Sequence, residues 1–496
     1  MKTLAGSEGW LFADHTIAMH IMPAAPSVGN DPVAGEQCHG FKATVFHGDG
    51  IGPEIFFLAG IALAFNELRL HGDADVFGGR FIHQCNLAGS RKIYTSFFGK
   101  FSTGQSQFHV GLENPEATAL KDAMDTTSKT QGILPAAAIA RFCAEGAIRL
   151  ARPCDDDQIQ PASLDLRLGP VAYRVRASFL PGPRLTVEQK LKDLALHRID
   201  LTEGAVLETG CVYIVPLLEG LKLPVGVSAA ANPKSSTGRL DIFTRVITDF
   251  AQEFDKVQEA YEGQLYAEIS PRTFSILARQ GSRLSQIRFR RGAMMASDAL
   301  IHALHLAEPL ITSGIANIDG GLALSVDLMA MDAAQNAPVG FRAKRHSALV
   351  DVDKKAGLDV LDYWEPIWHQ GSLILDPDQF YILASKEAVR VPPTHAAEMV
   401  PYNPLVGEFR VHYAGFFDPG FGHASGNGEG SRAVLEVRSH EVPFILEDGQ
   451  IIGRLVYEPL TEKPDQVYGQ GIGSNYQKQG LKLSKHFRPF VATNRS

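Results

Sequence analysis

The feature that most constrains this chain is a duplication. Leu207, Tyr213, Ile214, Glu219, Pro224, Glu268 and Gly281 recur, type for type, as Leu375, Tyr381, Ile382, Glu387, Pro392, Glu436 and Gly449, always 168 residues further on. A constant offset over such a stretch exceeds a solenoid unit of roughly 20 to 50 residues and argues for one fold used twice. The openings echo each other as well, Ala162-Ser163-Leu164-Asp165-Leu166 and Leu324-Ser325-Val326-Asp327-Leu328, so only the loops between have changed length. From Gly132 on, brief apolar runs punctuated by Gly and Pro predict a mainly β structure, barrel or sandwich, with few helices. One short helix is expected around Ile139, Phe142 and Ile148, and a surface helix over Thr186 to His197, where Val187, Leu191 and Leu194 keep helical spacing. A third is expected over Ala296 to Ala307, whose Ala299, Leu300, Ala303, Leu304 and Leu306 form an unbroken apolar stripe, and there the repeats divide.

With 496 residues at 45% hydrophobic content, the chain holds more than one core. Three regions are expected: residues 1–123, an extension that fits neither repeat and whose fold is unreadable; 124–295, the first repeat; and 296–496, the second repeat with a C-terminal tail. Met124 followed by Asp125-Thr126-Thr127-Ser128-Lys129-Thr130-Gln131 resembles a chain start with a short flexible lead, so the first segment reads as a candidate start-site artefact. The formal net charge of −8 speaks against non-specific nucleic-acid binding, and a phosphorylated ligand would need a locally basic pocket. The longest apolar run, Ile55 to Phe65, is about half the roughly 20 residues that cross a bilayer, so no membrane association is expected. Cys38, Cys85, Cys143, Cys154 and Cys211 contain no C-x-x-C pair, and the first residues lack a secretory signal, so a reducing cytoplasmic setting is expected.

Chemistry concentrates in two places. Asn232-Pro233-Lys234-Ser235-Ser236-Thr237-Gly238-Arg239-Leu240 packs two cations, two adjacent hydroxyls and a glycine into one turn. Hydroxyls and free N–H groups cradle phosphoryl oxygens, Lys adds a point charge and Arg a two-pronged fork; the plainer reading is a solvated turn. The second copy, Tyr402-Asn403-Pro404-Leu405-Val406-Gly407, has none of these groups, which points to one anion site per pair of repeats. The other place is the pair of repeat-equivalent glutamates, Glu268 and Glu436, each inside an apolar strand. A strand glutamate usually meets solvent; one facing a cleft has its pKa raised and serves as general base and acid.

Gly132-Ile133-Leu134-Pro135, Gln160-Pro161-Ala162-Ser163-Leu164-Asp165-Leu166-Arg167-Leu168-Gly169, Lys234-Ser235-Ser236 with Arg239, Phe417-Asp418-Pro419-Gly420-Phe421, Val434-Leu435-Glu436, and Tyr468-Gly469 with Asn475-Tyr476-Gln477-Lys478-Gln479 together resemble the dCTP deaminase family, most closely its double-length form, over residues 132 to 488. The resemblance implies two tandem distorted β-barrels of the dUTPase type, sites built between domains, and a homo-oligomer. It implies hydrolysis of dCTP to dUTP and ammonia, with magnesium carried by the triphosphate and no zinc. Carried over residue by residue, Ser235 and Arg239 are catalytic with Glu436, and Glu268 is the alternate to Glu436. Lys234, Ser236, Asp418 (sugar end), Val434, Tyr468 and Gln479 bind substrate, the last two from a tail that closes over the phosphates. Lys234 stands where arginine is usual and Asn475 where a phosphate-binding lysine is usual, so phosphate affinity is open. Phe254-Asp255-Lys256-Val257 reads as a degraded Asp-Pro-Gly segment in the first repeat, which favours Glu436 over Glu268 and predicts one composite site, its phosphate loop from the first repeat and its Asp418 and Glu436 from the second.

The residues carry the same chemistry without the name, because one carboxyl group is able to shuttle every proton of a hydrolytic deamination. Zinc deaminases show H-x-E followed by P-C-x-x-C, whereas here Pro153-Cys154 leads into Asp155-Asp156-Asp157. Two alternatives stay open at this level, a dUTPase-like or bifunctional enzyme giving dUMP, and a catalytically silent nucleotide-binding regulator. Gly48-Asp49-Gly50-Ile51-Gly52-Pro53-Glu54 resembles the opening of isocitrate and isopropylmalate dehydrogenases, but it is an isolated heptapeptide without downstream support.

Overall fold

The computed structural model describes residues 131–491 apart from 293–296, 313, 330–336, 369–370, 402–408, 412–414, 427, 440, 471–475 and 478. Earlier it describes only backbone strands, Gly9–Phe12 paired with His15–Ala18, His20–Ile21 with Ala43–Thr44, and Phe81–Leu87 with Arg91–Phe97. The chain forms two compact units, Met1–Pro115 and Glu116–Ser496. Residues 48–65, Met124, the 402–407 turn and Asn475, singled out above, lie outside the described residues. Among the described residues no helix is long and apolar enough to cross a membrane.

The second unit is mainly β. The first repeat runs β1 (Gly132–Ile133), α1 (Ala136–Glu145), β2 (Ile148–Leu150), β3 (Ile159–Gln160), β4 (Ser163–Arg167), β5 (Val171–Val175), α2 (Val187–Leu194), β6 (Ala195–Asp200), β7 (Ala205–Leu207), β8 (Val212–Lys222), β9 (Val227–Pro233), α3 (Ser235–Gly238), β10 (Ile242–Thr248), β11 (Lys256–Val257), β12 (Glu262–Pro271), β13 (Ile276–Ala278) and β14 (Arg283–Arg291). The second runs α4 (Asp298–Ala307), β15 (Leu322–Ser325), β16 (Gly340–Ala343), β17 (Val350–Asp351), α5 (Val360–Tyr363), β18 (Trp364–Ile367), β19 (Ser372–Leu375), β20 (Phe380–Val389), β21 (His395–Pro401), β22 (Phe409–Val411), β23 (Phe416–Phe417), β24 (Ser431–Ser439), β25 (Phe444–Glu447) and β26 (Ile451–Pro459).

The sheets repeat too. Order β11-β9-β14-β4 in the first repeat corresponds to β23-β21-β26-β15 in the second, and β6-β5-β8-β12 to β18-β16-β20-β24. Tyr213 and Ile214 face Ile269 and Glu268, and Tyr381 and Ile382 face Val437 and Glu436; both pairings then break at a bulge, Pro216/Gly220 and Ala384/Ala388. Each bulge aims a glutamate inward. Glu219 accepts the Arg167 backbone N–H at 2.8 Å and its Nε at 2.7 Å, while Glu387 accepts the Ser325 N–H at 2.8 Å and its hydroxyl at 2.6 Å.

Strand pairing corrects four sequence expectations. Leu164, Leu166 and Arg167 hold the places that Leu322, Leu324 and Ser325 hold in the second repeat, so Asp165 corresponds to Ala323 rather than to Asp327. A slip by an even number of residues preserves the apolar alternation, which is why the likeness of the two openings misaligned them. Likewise Lys256 and Val257 occupy the places of Phe416 and Phe417, so the position of Asp418 falls on Gln258 and not on Asp255. The surface helix is α2, closed at its start by a capping box of Thr186 and Gln189, and it stops at Leu194 because Ala195 to His197 pair with β5. Ile148, placed with the first helix, instead lies in β2 beyond the Gly146 cap of α1.

The repeats share a core. β17 of the second repeat pairs in parallel with β13 of the first, where Arg279 grips Asp351 at 2.7 and 3.0 Å. Trp364, fully buried, sits edge-on to Phe274 of the first repeat at 5.5 Å and to Phe487 of the tail at 6.0 Å, so burial of one cluster ties both repeats and the tail together.

Candidate active site

One cleft of about 980 Å³, its open mouth included, lies between the repeats. The first repeat contributes Gln160, Asp165, Lys234, Ser235, Ser236, Gly238, Arg239 and Gln286; the second contributes Phe416, Phe417, Asp418, Val434 and Glu436; the tail contributes Tyr468, Tyr476, Gln479 and Lys485. The halves are thus brought together within one chain, and every site residue named from the sequence is present except Glu268.

The loop end is built around α3. β9 ends at Pro233, Lys234 stays extended, and a single helical turn follows whose N–H groups are closed by Lys234 O (Thr237 at 2.8 Å, Gly238 at 3.0 Å). Lys234 Nζ binds the Asp165 carboxylate. Arg239, almost fully buried, finds only neutral partners among the described residues: Nη1 donates to Lys482 O at 2.9 Å, Nη2 to Gln479 Oε1 at 3.1 Å, and the guanidinium lies 3.9 Å from the centre of the Tyr476 ring. Gln479 in turn donates to Arg432 O at 3.0 Å, and Tyr468 Oη accepts the Tyr476 N–H at 3.1 Å, so the tail is fastened to both repeats.

Glu436 enters from the neighbouring repeat. β24 buries it against the loop so closely that a Cβ on Gly238 would stand 2.9 Å from its Oε1. Among the described residues none hydrogen-bonds to its carboxyl group. Burial pushes its pKa up to about 8, with Arg239 opposing and Asp241 adding to the rise. Asp418, buried beside β23, is pushed up by burial to about 6, held back chiefly by Arg288. That arginine reaches across from β14, donating to Ala397 O at 2.9 Å and Phe417 O at 3.3 Å, with Asp418 Oδ1 at 3.5 Å and the Phe416 ring 4.1 Å away.

Glu268 lies elsewhere. It is as buried as its counterpart, but Arg245 on the adjacent strand binds it, Nε at 3.1 Å, and is itself packed 3.4 Å over the Phe254 ring. The alternate assignment therefore finds a neutralised carboxylate outside the cleft. Sequence reasoning quoted Gln160, Asp165 and Tyr476 inside motifs without giving them a role, and it missed Arg288 and Lys485. No local pattern marks those two, since each becomes legible only once β14 and the tail are folded against the other repeat.

The arrangement joins a group of cations and hydroxyls (Lys234, Ser235, Ser236, Arg239, Lys485) to a buried carboxyl group. That suits hydrolysis of a phosphorylated, otherwise neutral compound. Among the described residues no three His, Cys, Asp or Glu are grouped as a metal ion would need.

Comparisons with known proteins identify the family of the two repeats. Residues 130–293 match the family described as 2'-deoxycytidine 5'-triphosphate deaminase, N-terminal domain, and residues 297–487 match its C-terminal domain. The dCTP deaminase of Halorubrum lacusprofundi is 30% identical over 161 residues, 32% of this chain and 76% of that protein. The dUMP-forming dCTP deaminase of Halobacterium salinarum is 37% identical over 110 residues, 21% of this chain and 52% of that protein. The crystal structure of a 2'-deoxycytidine 5'-triphosphate deaminase from Agrobacterium tumefaciens is similar with a TM-score of 0.64 and 63% identity, covering 67% of this chain and 99% of that one.

Proposed function

This chain belongs to the dCTP deaminase family, in the form that carries the domain twice, and from that premise we propose that it hydrolyses dCTP to dUTP and ammonia with a water activated by Glu436 and without zinc. The observation that carries the reading is the Glu436 carboxyl group, buried in the cleft with a pKa raised to about 8, so that it takes and returns a proton near neutral pH. In the reaction Glu436 removes a proton from water as the oxygen bonds to C4 of cytosine. It passes that proton to the ring N3, then takes the second proton of the former water to the amino nitrogen, and the C4–N bond breaks to release ammonia. Ser235 orients the water, and the Arg239 guanidinium, beyond ion-pair distance, tempers the basicity of the carboxylate through its charge. Lys234, Ser236, Tyr468 and Gln479 take the phosphates, Asp418 the sugar hydroxyl and Val434 the face of the base. Magnesium enters as the counter-ion of the triphosphate, part of the substrate.

The same reading takes each repeat as a distorted barrel of the dUTPase type, and the enzyme as a cytoplasmic homo-oligomer acting on small nucleotides, not on nucleic acid or membranes. Incubation of the purified protein with dCTP and magnesium, followed by ammonia assay and nucleotide chromatography, is expected to give dUTP and ammonia in equal amounts. Consumption of another nucleotide with dCTP untouched would sink the reading. Chelation of zinc with magnesium in excess is expected to leave the rate unchanged; loss reversed only by zinc would refute the metal-free mechanism. A second reading, direct formation of dUMP, is favoured by the similarity to relatives named dUMP-forming, and the same chromatogram decides it.

A further inference from the structure

We propose that Lys485 is a substrate-binding residue that grips the terminal phosphates and sets how strongly the cleft prefers a nucleoside triphosphate to a monophosphate. The proposal rests on reading the cleft as a deoxycytidine nucleotide site and adds a residue to it.

The first argument is placement. Lys485 is held by three separate parts of the molecule. Its N–H donates to Tyr476 Oη of the tail at 3.3 Å, and its carbonyl accepts the Ala356 N–H of the loop after β17 at 3.0 Å. The preceding residue, Ser484, donates its hydroxyl to Ser236 O of the phosphate loop at 2.7 Å. The following residue, His486, sets Nε2 2.9 Å from Val352 O. This backbone is fixed, so the side chain enters the cleft from a defined point.

The second argument is charge. Lys234 has Asp165 as its partner, but among the described residues neither Arg239 nor Lys485 has a carboxylate within ion-pair distance, and the buried Nε of Arg239 has no hydrogen-bond partner. Half-burial and the neighbouring Lys234 and Lys355 push the Lys485 ammonium down to about 8, with Asp165 opposing. Two uncompensated cations converging on one cleft are stabilised by an anion there, and a compact ammonium suits a terminal phosphate. The third argument is position. The charged neighbours of Glu436 are Arg239 and Asp241, whereas those of Lys485 are Lys234, Lys355, Asp165 and Arg283. Lys485 thus stands with Lys234 and Asp165 in the cleft, and the phosphate chain of a nucleotide whose base meets Glu436 would run toward this group.

The test is calorimetric titration of the full chain carrying Glu436→Gln, with and without Lys485→Met, using dCTP with magnesium and dCMP. Loss of a charged hydrogen bond is expected to weaken dCTP about tenfold to a hundredfold, with dCMP changed by less than about twofold and most dCTP affinity kept by Lys485→Arg. Equal weakening of both nucleotides, or no change in either, overturns the role. If Lys485→Met unfolds, Lys485→Gln is read by the same ratio. If the Glu436→Gln chain binds neither nucleotide while remaining folded, the nucleotide reading itself fails and this proposal falls with it.

Discussion

Glu268 and Glu436 occupy the same place in the two repeats, opposite Ile214 and Ile382 beside the same bulge, yet their surroundings are opposites. In the first repeat Arg245 lies between Phe254 and Phe243, 3.4 and 4.5 Å from the ring centres, and spends its guanidinium on Glu268 and Ser178. In the second, the carboxyl group faces Gly238 of the other repeat and no described residue hydrogen-bonds to it. What makes a strand glutamate chemically available is therefore the neighbour it lacks, not its position in the sheet. The asymmetry extends to Asp418. Arg288 of β14 holds its loop, while the register puts Val456 at the equivalent place in β26, so this brace runs from the first repeat to the second and has no counterpart at the equivalent place in the second.

The largest effect that tests this contrast is on turnover. Glu436→Gln is expected to lower kcat by at least the 10²–10⁴-fold typical of a lost general acid–base group while leaving dCTP binding in place. Glu268→Gln is expected to leave the rate per folded molecule within about twofold, because it touches nothing in the cleft. Steady-state assays of both variants decide it, and a dead Glu268→Gln beside an active Glu436→Gln would reverse the assignment.

Next in size is stability. Arg245→Met strands the buried Glu268 carboxylate, and removal of one partner of such a pair costs about 3–5 kcal/mol; since Arg245 is 23% exposed, about 2–4 kcal/mol is expected. Adding Glu268→Gln to Arg245→Met should recover most of that loss in urea unfolding, with deaminase activity unaffected in both. Activity restored to an Arg245→Met, Glu436→Gln chain would break the comparison, since it would mean that freeing Glu268 is enough to make a second catalyst.

The duplication, the mainly β character and the place of the 234–239 turn in the cleft were legible in the sequence because each rests on local pattern: offset, alternation, and a cluster of cations and hydroxyls in one turn. The composite site was legible from complementary decay, since Lys234 to Arg239 survive in one copy and Asp418 in the other. Three things were not. Asp165 was paired with Asp327 because an even slip leaves alternation intact. Asp255 was set against Asp418 although Val257 holds the place of Phe417. Arg288 and Lys485 carried no signal, because their contacts join segments far apart in the chain, and only tertiary packing tells a buried arginine bound to another repeat from one on the surface.

The smallest expected effect is a pH-dependent one, and it separates a buried carboxyl group without an ion-pair partner from one paired with an arginine. Glu436 ordinarily titrates at 4.5 and in the folded chain at about 8, so between these values the native state holds a proton that the unfolded state has lost. Stability therefore falls as pH rises through that window, by up to 1.36 kcal/mol per unit before relaxation and water entry reduce it. Glu436→Gln removes this dependence. The variant is expected to match the parent below about pH 4.5 and to exceed it by about 1–3 kcal/mol at pH 8, where the difference levels off. Asp418, raised to about 6, keeps part of the slope in that variant, and Asp418→Asn should remove it. Glu268→Gln is expected to do the opposite, lowering stability by leaving Arg245 without its partner. The measurement is urea unfolding of the three variants at pH 5, 6.5 and 8. If Glu436→Gln were less stable than the parent at pH 8, the carboxylate would have a stabilising partner in solution, and the distinction drawn between the two glutamates would lose its physical basis.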